Sequence, residues 1–244
     1  NMNEMTYGMR LGELCTFTAG SGIGKSSVMR ELAYHIIQNS EHSVGCLFLE
    51  ESIERTAKGL MSVHGNQPFH LPLVESTPEQ KRRSWEATLG TGRVKLWDHF
   101  GSTDIDNIIS KVQYLASALD CKFIILDHLT MIVSAMTGDN ERRAIDSIMT
   151  RLRTLVQEQN IHLMLVSHLS RKPASDSGHE EGAIVSLSQL RGSHGILKNR
   201  FSGETGPCCW LQWDKESGRL REIPNPKFAD DDSDFKEVTN GFKV

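Results

Sequence analysis

Several common features are missing from this sequence, and each absence narrows its reading. No apolar run in the 244 residues reaches the roughly 18 residues of a membrane span. The start, Asn1-Met2-Asn3-Glu4, lacks the basic-then-apolar order of a secretory signal. The expectation is a soluble, cytoplasmic protein that has no membrane partner. The five cysteines, Cys15, Cys46, Cys121, Cys208 and Cys209, are odd in number and form no C-x-x-C pair, so neither a disulfide framework nor a zinc site is indicated. There is no internal repeat. An excess of basic charge is missing too, since the net charge is −4, the wrong sign for a chain that holds a polyanion. The acid, however, is concentrated. Residues 229–237 carry Asp230, Asp231, Asp232, Asp234 and Glu237 against Lys236 and alone account for the −4, which leaves a neutral body. Basic clusters remain on that body at Lys81-Arg82-Arg83, Arg142-Arg143, Arg171-Lys172 and Lys198-Asn199-Arg200. Each could face a polyanion, with ordinary solvated surface an equal alternative for the first two.

What is present suggests one α/β domain, residues 1–226, followed by an acidic segment, 227–244, too polar to fold alone. Short apolar runs at 14–18, 44–49, 94–97, 123–126 and 162–166 alternate with helical stripes. Two stripes stand out: Ile105, Ile108, Ile109, Val112, Leu115 and Leu119, then Ile145, Ile148, Met149, Leu152, Leu155 and Val156. Thr103 or Asp104 could cap the first of these helices, and Asp139 or Asn140 the second. Apolar runs on successive residues are what strands buried on both faces of a mostly parallel sheet require. Near the end, 209–213 and 220–223 flank Asp214-Lys215-Glu216-Ser217-Gly218 and predict an antiparallel hairpin.

The strongest chemical signal is Ala19-Gly20-Ser21-Gly22-Ile23-Gly24-Lys25-Ser26-Ser27. It follows the first strand and opens a helix ending near Asn39, the context of a Walker A loop, with alanine in place of the first glycine. Bare backbone N–H groups close around phosphate oxygens only where side chains do not obstruct them, hence Gly20, Gly22 and Gly24. Lys25 would neutralise the β- and γ-phosphates and Ser26 would ligate Mg²⁺, beside the positive end of the helix. Three further strands end in polar residues: Leu49-Glu50-Glu51, Leu126-Asp127 and Ser167-His168. In an open parallel sheet these carboxyl ends share one edge with the phosphate loop. Asp127 is the candidate metal carboxylate. Glu50 is the candidate to polarise the attacking water, ahead of Glu51, because strand alternation turns only one of the two into the site. His168 could report the γ-phosphate, its alternative being a structural histidine.

The ordered set resembles the hexameric replicative DNA helicases: Walker A, Leu49-Glu50-Glu51-Ser52, Ile125-Leu126-Asp127-His128, Ser167-His168-Leu169, Arg191-Gly192-Ser193, then Lys198-Asn199-Arg200-Phe201-Ser202-Gly203-Glu204-Thr205-Gly206. It looks most similar to the helicase half of short-tailed-phage primase-helicases, and more distantly to DnaB-type and mitochondrial replicative helicases. The resemblance spans most of 8–223. It implies a RecA-like P-loop core, a ring of subunits around single-stranded DNA, and translocation driven by ATP or dNTP hydrolysis with Mg²⁺. It also implies roles: Glu50 as catalytic glutamate, Asp127 as metal carboxylate, His168 as phosphate sensor, and Lys198 with Arg200 as a pair whose arginine enters the neighbouring subunit's site. Trp213 matches an aromatic residue that stacks on the base, and Arg171 with Lys172 a central-channel loop that grips DNA. The acidic tail would engage a basic partner, as the family's tail does with the replicative polymerase.

Two departures accompany the resemblance. Only Gly192-Ser193-His194-Gly195-Ile196-Leu197 separate Arg191 from Lys198, where the family places a further strand and loop. No primase or zinc module precedes Gly8, as expected for an excised helicase domain or for a member without priming. The reading is a replicative helicase domain. The alternatives are a RecA-like recombinase or loader and a non-motor P-loop switch that controls protein assembly.

Overall fold

The computed structural model describes residues 6–19, 24–71, 74–98, 104–129, 139–168 and 210–223, with the backbone alone at 19, 139–142, 168 and 210. Five strands, β1 (Leu14–Ala19), β2 (Ser43–Phe48), β3 (Val94–Trp97), β4 (Cys121–Asp127) and β5 (His162–His168), form one parallel sheet in the order β1-β5-β4-β2-β3. Each predicted apolar run is a strand, and the expected parallel sheet is borne out.

Alternate side chains of β4 and β5 feed two separate cores. Ile124, Leu126, Leu163 and Leu165 pack against Ile108, Val112 and Leu115 of α4 (Ile105–Ser117) and Ile145, Ile148, Leu152 and Val156 of α5 (Asp139–Gln159). On the opposite face Phe123, Ile125, Met164 and Val166 meet Met29, Leu32, Ala33, Ile36 and Ile37 of α1 (Lys25–Asn39). Both predicted stripes are therefore core. Gly45 on β2 lets α4 close in, because a Cβ there would lie 2.9 Å from Leu115. The Arg93 guanidinium donates to the carbonyl oxygens of Ile37 and Ser40, closing the end of α1. Among the described residues no helix is long and apolar enough to cross a membrane.

Two helices lie between β2 and β3, where the sequence reading placed none. In α2 (Ile53–Gly65), Ser52 caps by accepting from the Arg55 N–H. In α3 (Pro78–Ala87), Thr77 and Gln80 form a capping box with proline at the helix start. The basic cluster at 81–83 lies on α3, where Arg83 pairs with Glu79 and Arg82 with Glu86 one turn away. These pairs favour solvated surface over a polyanion site there. Asp104 occupies the N-cap position of α4 but makes no side-chain cap bond.

The ion pair of Arg30 on α1 with Glu51 after β2 binds the sheet edge to its covering helix, with both side chains largely buried. Removing one partner of such a pair strands a charge. Glu51→Gln is expected to lower the unfolding free energy by about 3–5 kcal/mol, a loss that urea denaturation would read directly.

The predicted hairpin is present as β6 (Trp210–Asp214) paired with β7 (Arg219–Ile223). Arg219 fastens it to α1 with two bonds to the Glu31 carboxylate, 3.0 and 2.7 Å, and a third to Asn66 of the α2 cap, 3.1 Å.

Candidate functional site

The site begins at the turn into α1. Gly24 has φ 82°, left-handed backbone that glycine adopts without strain. Lys25 is then the first residue of α1, so the lysine and the N–H groups of the first helical turn share one end of the helix. Gly20, Ser21, Gly22 and Ile23 lie outside the described residues.

The strand order gathers the remaining groups. β5, ending at His168, lies between β1, which leads to the phosphate loop, and β4, which ends at Asp127. The register sets His168 opposite Ala19 and Phe48 opposite Asp127. Across the second pair the Leu49 N–H donates to the Asp127 carbonyl. Two adjoining strand ends thus deliver Glu50 and Asp127-His128 side by side.

The side chains converge there. Ser26 Oγ donates to Asp127 Oδ2 at 2.5 Å. Asp127 is only 5% exposed, and that burial pushes its carboxyl pKa up, against the lowering pull of the Ser26 bond and the neighbouring His128. Burial also lowers the Lys25 pKa, while the charges of Asp127 and Glu50 oppose that shift. Lys25 therefore lies within electrostatic reach of both carboxylates that the sequence singled out. The Ser26 hydroxyl and Asp127 carboxylate are a pair of hard oxygen donors. Such a pair fits Mg²⁺, which takes one or two protein oxygens and completes its shell with phosphate and water.

The two glutamates differ in their partners. Glu51 turns back to Arg30, with Thr56 Oγ1 also donating to it at 3.4 Å. Glu50 turns the other way: its side chain is 54% exposed, and its Oε1 lies 2.8 Å from His128 Nε2. Of the two, Glu50 is the one with solvent access. His128 itself, 6% exposed, was missed by the sequence reading. A histidine following a strand-end aspartate becomes a signal only once β2 is known to lie beside β4.

Trp213 lies opposite Leu220 in the hairpin register, so both occupy one face. Leu220 Cδ2 comes within 4.0 Å of the point where a Cβ on Gly24 would stand. The hairpin face that carries Trp213, 41% exposed, is thereby set beside the phosphate-loop end of α1. Ser27 is half-buried in the first turn of α1. The His168 side chain, Arg171, Lys172, Lys198, Arg200 and the acidic segment lie outside the described part, as does the short stretch from 191 to 198.

Known proteins are similar to this chain in sequence and in fold. A profile of the DnaB-like helicase C terminal domain matches residues 1–199. The chain is 29% identical over 249 residues to a DNA helicase/primase of Enterobacteria phage T3, covering 90% of this chain and 44% of that protein. It is 22% identical over 195 residues to the replicative DNA helicase DnaC of Bacillus subtilis, covering 75% and 43%. Among solved structures, a DnaB-like replicative helicase studied with primase superposes with a TM-score of 0.65 at 17% identity, over 90% of this chain and 59% of that one. A separately solved ATPase domain superposes at 0.64 and 18% identity, over 78% and 67%. At these identities the superpositions bear on the fold, which is RecA-like. The chain spans less than half the length of these curated relatives.

Proposed function

Since the chain belongs to the DnaB-like helicase C-terminal domain family, we propose that it is the motor of a replicative DNA helicase. In this reading the motor hydrolyses ATP or dNTP, moves along single-stranded DNA as a ring, and separates the duplex. The observation that carries it is the convergence of Lys25, Ser26, Asp127 and Glu50 on one sheet edge.

Each residue has a task in this reading. Lys25 and the N–H groups that open α1 hold the phosphates. Ser26 and Asp127 would hold Mg²⁺, which when bound would neutralise the charge developing on the phosphates. Glu50 orients the attacking water and accepts its proton. Trp213 stacks on the base, a role supported by the docking of its hairpin beside Gly24. Gly20, Ser21, Gly22, Ile23, Gly24 and Ser27 complete the phosphate cradle, and His168 senses the γ-phosphate from the strand between β1 and β4.

The remaining roles rest on the family resemblance. Lys198 and Arg200 form the pair whose arginine enters the neighbour's site in a hexameric ring, while Arg171 and Lys172 hold the DNA backbone. Residues 1–226 form the motor, and the acidic segment 227–244 engages a basic partner, the replicative polymerase. Primase appears in the name of the phage T3 relative, and a primase module elsewhere in the whole protein is part of this reading.

Hydrolysis measured with and without single-stranded DNA, together with strand displacement from a forked duplex, tests the proposal. Stimulation by DNA with displacement is expected. Stimulation without displacement would indicate a recombinase or loader, and no stimulation a nucleotide switch. Arg171→Ala with Lys172→Ala is expected to weaken single-stranded DNA binding and make its log–log salt dependence shallower by about 1.4, roughly 0.7 per lost phosphate contact. Hydrolysis without DNA should be spared. An unchanged slope would remove this loop from the DNA path.

A further inference from the structure

We infer that His128 is a positioning residue for hydrolysis, one that aims the Glu50 carboxylate through its 2.8 Å contact with Oε1. The inference rests on the assignment of Glu50 as the group that activates water.

Glu50 needs such a partner. It stands beyond the last residue of β2 with its side chain more than half exposed, and a glutamate has three torsions through which its carboxylate can wander. Water activation tolerates little wandering, since the carboxylate must meet the water at hydrogen-bond distance while the water stays in line with the γ-phosphate. His128 is the opposite kind of group, almost fully buried and fixed to the end of a central strand. The two backbones are tied together as well. Phe48 is in register with Asp127, and the Leu49 N–H donates to the Asp127 carbonyl, so the spacing of residues 50 and 128 is set by the sheet. An imidazole Nε2–H donates to a carboxylate whether the ring is neutral or charged, so the aim does not depend on a titration. On the other side of β2, Arg30 draws Glu51 away, and the chain between the two glutamates is held from both directions.

The test compares His128→Ala, His128→Gln, Glu50→Gln and the double variant Glu50→Gln with His128→Ala in the intact chain. Steady-state and single-turnover hydrolysis of ATP are measured, with binding of a fluorescent ATP analogue. Loss of one hydrogen bond to a charged group is expected to lower kcat about 10- to 100-fold, with nucleotide affinity within about twofold of wild type, since the phosphate cradle is untouched. His128→Gln, which keeps a side-chain N–H of similar reach, should recover a large part of the rate. In the Glu50→Gln background His128→Ala should have no further effect, because its action passes through the carboxylate. His128→Leu fills the volume without a donor and is read in the same way if the alanine variant does not fold.

An unchanged or raised kcat would overturn the inference. So would an equal loss in the Glu50→Gln background, or a fall in nucleotide affinity that matches the fall in rate. If Glu50→Gln itself keeps its turnover, the assignment of Glu50 fails and this inference fails with it. If Glu50→Gln is inactive and His128→Ala is not, the positioning role alone is wrong.

Discussion

Glu50→Gln is expected to slow hydrolysis by about 10²–10⁴-fold, the contribution of a positioned general base, while nucleotide binding stays close to wild type. The amide keeps the shape of the carboxylate but cannot take a proton. Lys25→Ala should behave differently, because the lysine meets charge present in both the ground state and the transition state. Its loss is expected to weaken nucleotide binding as well as turnover. Glu51→Gln completes the comparison. Glu51 is committed to Arg30 in a buried pair, so its neutralisation should appear mainly in denaturation. Steady-state kinetics on the three variants, together with urea unfolding, separate the roles. Wild-type turnover in Glu50→Gln with a dead Glu51→Gln would reverse the assignment.

An arginine donated across a subunit boundary should show itself when two inactive proteins are mixed. Arg200 stands far along the chain from Lys25, and the resemblance gives it a role in the neighbour's site. A finger supplied in trans contributes about three to five orders of magnitude to turnover, so rings of Arg200→Ala subunits should bind nucleotide and scarcely hydrolyse it. Subunits carrying Lys25→Ala keep their arginine but cannot use nucleotide. Where the second type donates to the first, one complete site forms from two dead parents, and DNA-free hydrolysis should return in part. If exchange of subunits is demonstrated and no activity returns, Arg200 acts within its own subunit or not at all.

The α2 and α3 helices show where reading by pattern stops. Residues 78–87 are almost wholly polar, so no apolar stripe announces a helix. The signal was the Thr77 and Gln80 capping box with Pro78 between them, a feature of the helix end and not of its face. The same segment explains why pattern alone left its basic cluster undecided, since the acids that pair with Arg82 and Arg83 are one helical turn away and become neighbours only when the helix exists.

The sequence by itself determined the class of fold, because it is written in local order. Apolar runs on successive residues specify strands buried on both faces. Polar residues that close three such strands share one edge of the sheet, beside the start of the helix that opens at Lys25. Which groups touch was decided by the tertiary structure alone. The order β1-β5-β4-β2-β3 brings residue 50 beside residue 128, and the packing of α1 on the sheet lets Arg30 take Glu51. The Arg219–Glu31 bonds join residues 188 positions apart and hold the hairpin against α1, with Leu220 beside Gly24. Such contacts have no periodicity to betray them. They depend on the packing of whole elements, in which the burial of two cores outweighs any preference of the residues that happen to meet at their edges.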